Sequence, residues 1–73
     1  MMLDVLGKEV KVNDKVITFE IVVGDTVLET GTVVKIEKCD DGCYYAEIMI
    51  SFLIGNEDYH RYVWRKSKGI MKL

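Results

Sequence analysis

Apolar and polar residues alternate along much of this chain with the two-residue period of β-strands. The alternation is longest over residues 44–54, where Glu47 and Ser51 mark one set of positions as polar. Because successive side chains of a strand point to opposite faces, this pattern predicts one long strand with a buried and a wet face. The predicted inner face comprises Tyr44, Ala46, Ile48, Ile50, Phe52 and Ile54, and the predicted outer face comprises Tyr45, Glu47, Met49, Ser51 and Leu53.

Shorter extended segments rich in valine and isoleucine precede and follow this strand. They cover residues 17–23, 32–38, 59–65 and 70–73, and an earlier run over residues 10–16 is broken by the turn pair Asn13-Asp14. Residues 24–36 are predicted to form a strand, a tight turn and a second strand, with Gly24-Asp25 and Thr30-Gly31 as turn residues. Residues 55–58 are predicted to form a polar loop. Over residues 32–38, strict alternation predicts Val34 and Ile36 on one face. It predicts Val33, Lys35 and Glu37 on the other face, which is expected to be wet.

The segment Cys39-Asp40-Asp41-Gly42-Cys43 carries the strongest turn signal. A three-residue loop with Gly42 in the left-handed region fits best and places Cys39 opposite Cys43. A two-residue turn at Asp41-Gly42 is the alternative, and it would pair Asp40 with Cys43.

Five or so short strands in 73 residues predict a single all-β domain over residues 1–73. The chain is 49% hydrophobic and contains no proline to protect a sheet edge, so closure or edge pairing is favoured. We therefore predict a small five-stranded barrel built from a strongly bent antiparallel sheet, with at most a short 3₁₀ turn near residues 66–69.

The segments Gly24-Asp25-x-Val27 and Gly31-x-Val33-x-x-Ile36 resemble the core of KOW-type and related SH3-like barrels. The ending, from Arg61 through Leu73, is similar to that of small SH3-like proteins common in bacteriophage genomes. The resemblance implies an SH3-like barrel from a phage or another mobile element. KOW modules that contact nucleic acid often carry basic, glycine-rich loops, whereas the corresponding loop here holds Asp25 and Glu29.

Charge is distributed unevenly along the chain. Residues 1–59 hold twelve acids and five lysines, a net charge of −7, whereas residues 60–73 hold five cations and no acid. Cations interleaved with aromatic residues suit phosphates and stacked bases, so this end predicts nucleic-acid binding as an alternative function. The candidate residues are His60, Arg61, Trp64, Arg65, Lys66 and Lys68. The opposing interpretation is that the aromatic residues are core and the cations are solvated.

Apolar residues on the outer face of the long strand form the other candidate site. They are Tyr45, Met49 and Leu53, which Val33 would join from the neighbouring strand. Clustered exposed apolar groups mark interfaces, so this face predicts binding of a protein partner or a second copy of the chain. Cover by a loop of the same chain is the alternative.

Catalysis and metal binding have little support in the sequence. Cys39, Cys43 and His60 are the only soft or nitrogen metal ligands, fewer than a structural zinc site needs, and the two cysteines are expected to be free thiols. One histidine and no phosphate-binding glycine loop predict a non-enzymatic protein with no cofactor and no small-molecule substrate. With neither a signal peptide nor a membrane span in the sequence, we expect a cytoplasmic protein, in the host cytoplasm if a phage encodes it.

Overall fold

The computed structural model describes residues 1–19 and 23–73 in full, and residues 20–22 only as part of a strand. The strands are β1 (Met2–Leu3), β2 (Glu9–Val10), β3 (Lys15–Val22), β4 (Asp25–Lys38), β5 (Tyr44–Ile54), β6 (Glu57–Lys66) and β7 (Ile70–Lys72), with a 3₁₀ turn at Ser67–Gly69. The all-β prediction and the predicted 3₁₀ turn are confirmed. Within the described part of the chain, no helix has the length and apolar character needed to cross a membrane.

Five strands form one antiparallel sheet in the order β6-β5-β4-β3-β7, while β1 and β2 form a separate two-stranded ribbon. The predicted five-stranded antiparallel sheet is therefore confirmed. Between the described residues, no pairing joins the outer strands β6 and β7, so the sheet is open in its strand order.

One hairpin loop is shorter than the sequence predicted, and another has the predicted length. Ile54 pairs with Glu57, so the polar loop predicted over residues 55–58 is wrong and only Gly55 and Asn56 connect β5 to β6. The loop after Lys38 confirms the three-residue prediction: the Cys39 N–H donates to the Cys43 carbonyl at 2.9 Å, and Gly42 has φ +83°.

Gly31 does not interrupt β4, although the sequence predicted a turn at Thr30-Gly31. A Cβ at this position would lie 2.5 Å from Ile48 Cγ2 and 2.8 Å from the Met49 carbonyl oxygen. Glycine therefore allows β4 and β5 to approach closely where a larger residue would clash.

The core lies between the inner face of the sheet and the N-terminal ribbon. Its buried hydrophobic residues are Met2, Val10, Val16, Val33, Ala46, Ile48, Ile50 and Ile70. The inner face predicted for β5 is confirmed at Ala46, Ile48 and Ile50, whereas Phe52 and Ile54, nearer the hairpin loop, are exposed.

A register shift in β4 changes which of its residues face the core. Val33 pairs with Ile48 and Lys35 pairs with Glu47, which leaves Val34 as an extra residue between the two pairs. Val33 is fully buried, so its predicted position on the outer face is wrong. A bulge reverses the alternation after the extra residue, and this is why strict alternation assigned Val33 to the wrong face.

Candidate functional site

The outer face of the sheet brings together side chains from β4, β5 and β6. Pairing places Met49 between Thr32 and Tyr62, and it places Trp64 beside Glu47 and Lys66 beside Tyr45. Directly opposed side chains in an antiparallel pair lie about 4.5–5.5 Å apart at Cβ. Tyr45, Met49, Tyr62 and Trp64 therefore form one continuous surface, which we call the aromatic face.

The aromatic face is open to solvent. Tyr62 is 56% exposed and Trp64 is 41% exposed, while Tyr45 and Met49 are half-buried. Tyr62 is not among the predicted site residues, although alternation in a strand places it on the same face as His60 and Trp64.

Two of the predicted protein-binding residues, Tyr45 and Met49, lie on the aromatic face. Leu53 lies on the same side of the sheet but nearer the β5–β6 loop, opposite Asp58, and is 69% exposed. Val33 lies in the core and does not contribute.

The predicted basic segment does not form one patch, because alternation divides it between the two faces of β6. His60, Trp64 and Lys66 share the outer side with Tyr62. Arg61 pairs with Ile50 on the inner side, and its guanidinium forms an ion pair with Glu29 of β4. Arg65, also on the inner side, pairs with Ala46 and is half-buried.

Lys68 lies outside the sheet, in the 3₁₀ turn. Together with Lys66 and Ser67 it lines a cavity of about 550 Å³, and Gly42, Cys43 and Tyr44 form the other side. The cavity adjoins the end of the aromatic face at Lys66.

Tyr45, at one end of the aromatic face, contacts both Asp41 and Lys66. The Tyr45 hydroxyl donates to Asp41 Oδ2 at 3.2 Å, and Lys66 Nζ lies 5.2 Å from the centre of the Tyr45 ring. The pKa of Asp41 is lowered chiefly by the hydrogen bond from the Cys43 N–H. The pKa of Lys66 is raised, chiefly by the neighbouring Tyr45 hydroxyl. Lys66 is therefore a positive charge at this end over the whole physiological range.

Polar groups flank the other side of Met49. Lys15 Nζ donates to Thr32 Oγ1 at 2.6 Å, and Ser51 Oγ lies 3.0 Å from His60 Nδ1. Lys15, Thr32, Met49 and Ser51, with Thr30 and Gly31, line a shallow cavity of about 300 Å³.

Cys39 and Cys43 are exposed free thiols at the β4–β5 hairpin. Partial desolvation of the sulfur by neighbouring groups, followed by the charges of Asp41 and Glu37, raises the pKa of Cys39, so its thiol is a weak nucleophile at neutral pH. Among the described residues, no group of three or more histidine, cysteine, aspartate or glutamate side chains is arranged to hold a metal ion.

Comparison of the chain with protein-family models, curated proteins and solved structures found no match.

Proposed function

We propose that this protein is a non-enzymatic interaction module that binds a protein partner through the aromatic face. The observation that carries the proposal is the adjacency of Met49, Tyr62 and Trp64 on an exposed side of the sheet. Large aromatic residues and methionine bind partners well because they bury much apolar area and adapt to the partner's surface. The partner surface that fits offers apolar side chains to this cluster and a carboxylate to Lys66.

The division of charge favours a protein partner over nucleic acid. Arg61 and Arg65, the strongest phosphate ligands of the segment, lie on the inner side of β6, and Arg61 is ion-paired with Glu29. The aromatic face retains Lys66 beside it, but Glu47 lies next to Trp64 and Asp58 lies next to Leu53. Carboxylates among the aromatic residues repel a phosphate backbone.

We further propose that the sheet is curled in the manner of an SH3-like barrel. Arg61 in β6 and Glu29 in β4 belong to strands that are not neighbours, and yet their side chains are in contact. The bulge at Val34 supports this curvature, because bulges bend a strand and increase its twist. β7 returns to pair with β3 directly after the 3₁₀ turn.

Affinity capture from a lysate of the source or host cell, treated with nuclease, tests the proposed function. A captured protein is then purified and its Kd measured with the unmodified chain and with three variants. Trp64→Ala, Tyr62→Ala and Met49→Asp are each expected to raise the Kd at least about tenfold, because such anchors dominate interfaces. Leu6→Ala, at a position 63% exposed in the β1–β2 loop, is the matched control and is expected to leave the Kd unchanged.

Two results would contradict the proposal. One is a partner whose Kd is insensitive to all three variants of the aromatic face. The other is tight binding of single-stranded DNA or RNA that weakens steeply with salt, which would establish the nucleic-acid alternative.

A further inference from the structure

The outer edge of β6 is the longest unpaired strand edge that the structure describes. β6 has ten residues, pairs along its whole length with β5, and has no other strand partner among the described residues. An edge of this kind presents a row of backbone donors and acceptors that another strand can bind.

The register of the β5–β6 hairpin determines which residues of β6 direct their backbone groups outward. Ile54 and Glu57 flank a two-residue loop, and such a flanking pair exchanges both backbone hydrogen bonds. Hydrogen-bonded pairs then recur at every second residue, so the odd-numbered residues of β6 bond to β5. The residues whose N–H and C=O groups point to the open edge are Asp58, His60, Tyr62, Trp64 and Lys66.

Side chains of opposite charge lie near the two ends of this edge. Asp58 lies near one end of β6 and Lys66 at the other, and both side chains are on the outer face. Tyr62 lies midway between them. An identical strand running in the opposite direction would therefore place each Asp58 opposite the other copy's Lys66.

We propose that this edge binds a second copy of the chain, with β6 pairing antiparallel to β6 about a two-fold axis at Tyr62. Tyr62 of one copy then lies opposite Tyr62 of the other, and each His60 lies opposite the other copy's Trp64. On the inner side, Tyr59 lies opposite Arg65, and Arg61 lies opposite Val63. This register contains no pair of like charges, and its two Asp58–Lys66 pairs are complementary.

Shifting the register by two residues in either direction is less favourable. One shift centres the axis at Arg61. It retains two complementary pairs, between each Glu57 and the other copy's Arg65, but it places the two Arg61 side chains opposite each other. The other centres it at Val63 and pairs each Arg61 with the other copy's Arg65. Like charges directly opposite each other destabilise a strand pair.

One backbone group at the edge already has a partner. The Trp64 carbonyl accepts a hydrogen bond from Arg65 Nη1 at 3.0 Å. In the paired state the His60 N–H of the other copy replaces this donor, and the Arg65 side chain moves toward the other copy's Tyr59.

The pairing goes beyond the proposed function, because it uses the edge of the sheet rather than the aromatic face. Its consequence is that the aromatic faces of two copies become one continuous surface with two partner sites. A partner with two copies of its own binding segment would then be held more tightly than a single face can hold it.

Sedimentation measures the association of the unmodified chain. The measurement covers roughly 10 to 500 µM, because a single strand pair is a weak interface. We expect a monomer–dimer equilibrium. Asp58→Lys is expected to raise the dimer Kd at least about tenfold by placing lysines opposite lysines. The double variant Asp58→Lys, Lys66→Asp restores the unmodified value, and Glu57→Lys, on the opposite face, changes the Kd far less.

Cysteine cross-linking tests the register itself, in a background in which Cys39 and Cys43 are serine. Tyr62→Cys places two thiols on residues about 5.5 Å apart at Cα, which a disulfide can bridge. His60→Cys is the matched control: its two copies lie about 13 Å apart along the strands and cannot be bridged. A chain that stays monomeric at all concentrations, an Asp58→Lys variant that dimerises normally, or equal cross-linking at both positions would each overturn the proposal. None of these results tests the proposed function. That function is tested separately, by the Kd of a captured partner for variants of the aromatic face.

Discussion

The carboxylate of Asp4 accepts a hydrogen bond from the backbone N–H of Lys72, 68 residues away, at 2.8 Å. Its other oxygen accepts the N–H groups of Leu6 and Lys8 at 2.9 and 2.8 Å. Asp4 is buried, and one side chain thus connects the loop of the N-terminal ribbon to the last strand of the sheet. The ribbon contributes Met2 and Val10 to the core, so this connection holds part of the core in place.

Replacing Asp4 with alanine is expected to lower the melting temperature by roughly 5–10 °C, because three backbone donors lose their acceptor. Thermal unfolding followed by circular dichroism measures the change. Asp40→Ala, in the exposed β4–β5 loop, is the control and is expected to shift the melting temperature by less than about 2 °C. A similar small shift for both variants would show that the Asp4 hydrogen bonds contribute little to stability.

Acid is expected to destabilise the fold through three carboxylates. The pKa values of Asp4, Asp14 and Asp41 are lowered from 3.8, in each case chiefly by a backbone hydrogen bond: from Lys72, Lys11 and Cys43 respectively. Because the unfolded chain binds protons more readily than the folded one, this stabilisation is complete well above pH 3.8. It is lost as the pH falls through the lower folded values.

Melting temperatures measured from pH 6 down to about pH 2 test this expectation, with the decline beginning near pH 4. The Asp4→Asn variant should show a flatter profile than the unmodified chain, since it removes one of the three linked protonations. A profile that is unchanged by this substitution would contradict the assignment to Asp4.

Gly31→Ala is expected to destabilise the protein by about 1–3 kcal/mol, since the added Cβ meets Ile48 Cγ2 and the Met49 backbone carbonyl at less than 3 Å. Urea unfolding measures the loss. Gly69→Ala is the matched control, because the nearest atom to its Cβ is Cδ of the flexible Arg65 side chain at 3.3 Å. Equal losses at both positions would contradict the close approach of β4 and β5.

The bulge in β4 predicts opposite responses at two adjacent valines. Val33→Asp places a charge in the core and is expected to unfold the chain, whereas Val34→Asp, at a position 36% exposed, is expected to leave it folded. Circular dichroism and chemical-shift dispersion distinguish the two results. A folded Val33→Asp variant together with an unfolded Val34→Asp variant would contradict the bulge. That result would place Val34 in the core and Val33 on the outer face, as strict alternation predicts.

Local patterns in the sequence were sufficient for the all-β class, for the extent of β5 and for one hairpin. Valine and isoleucine at alternating positions predicted the all-β class and the inward face of β5 at Ala46, Ile48 and Ile50, because burial of one face imposes a period of two. The loop at residues 40–42 was predictable because Gly42 takes a positive φ that few other residues tolerate.

Only the tertiary structure decided what depends on contacts between distant strands. The extra residue at Val34 exists only relative to the pairing of β4 with β5, and it moved Val33 from the predicted interface into the core. In the sequence, Gly31 has the character of a turn residue. Only the position of Ile48 shows that this glycine instead allows β4 and β5 to approach closely. The tertiary structure also decided how the basic residues of β6 divide between the two faces of the sheet. Alternation allowed Arg61 and Trp64 to lie on opposite sides, but the pairing of β6 with β5 determined which side faces the core and which carries the aromatic face.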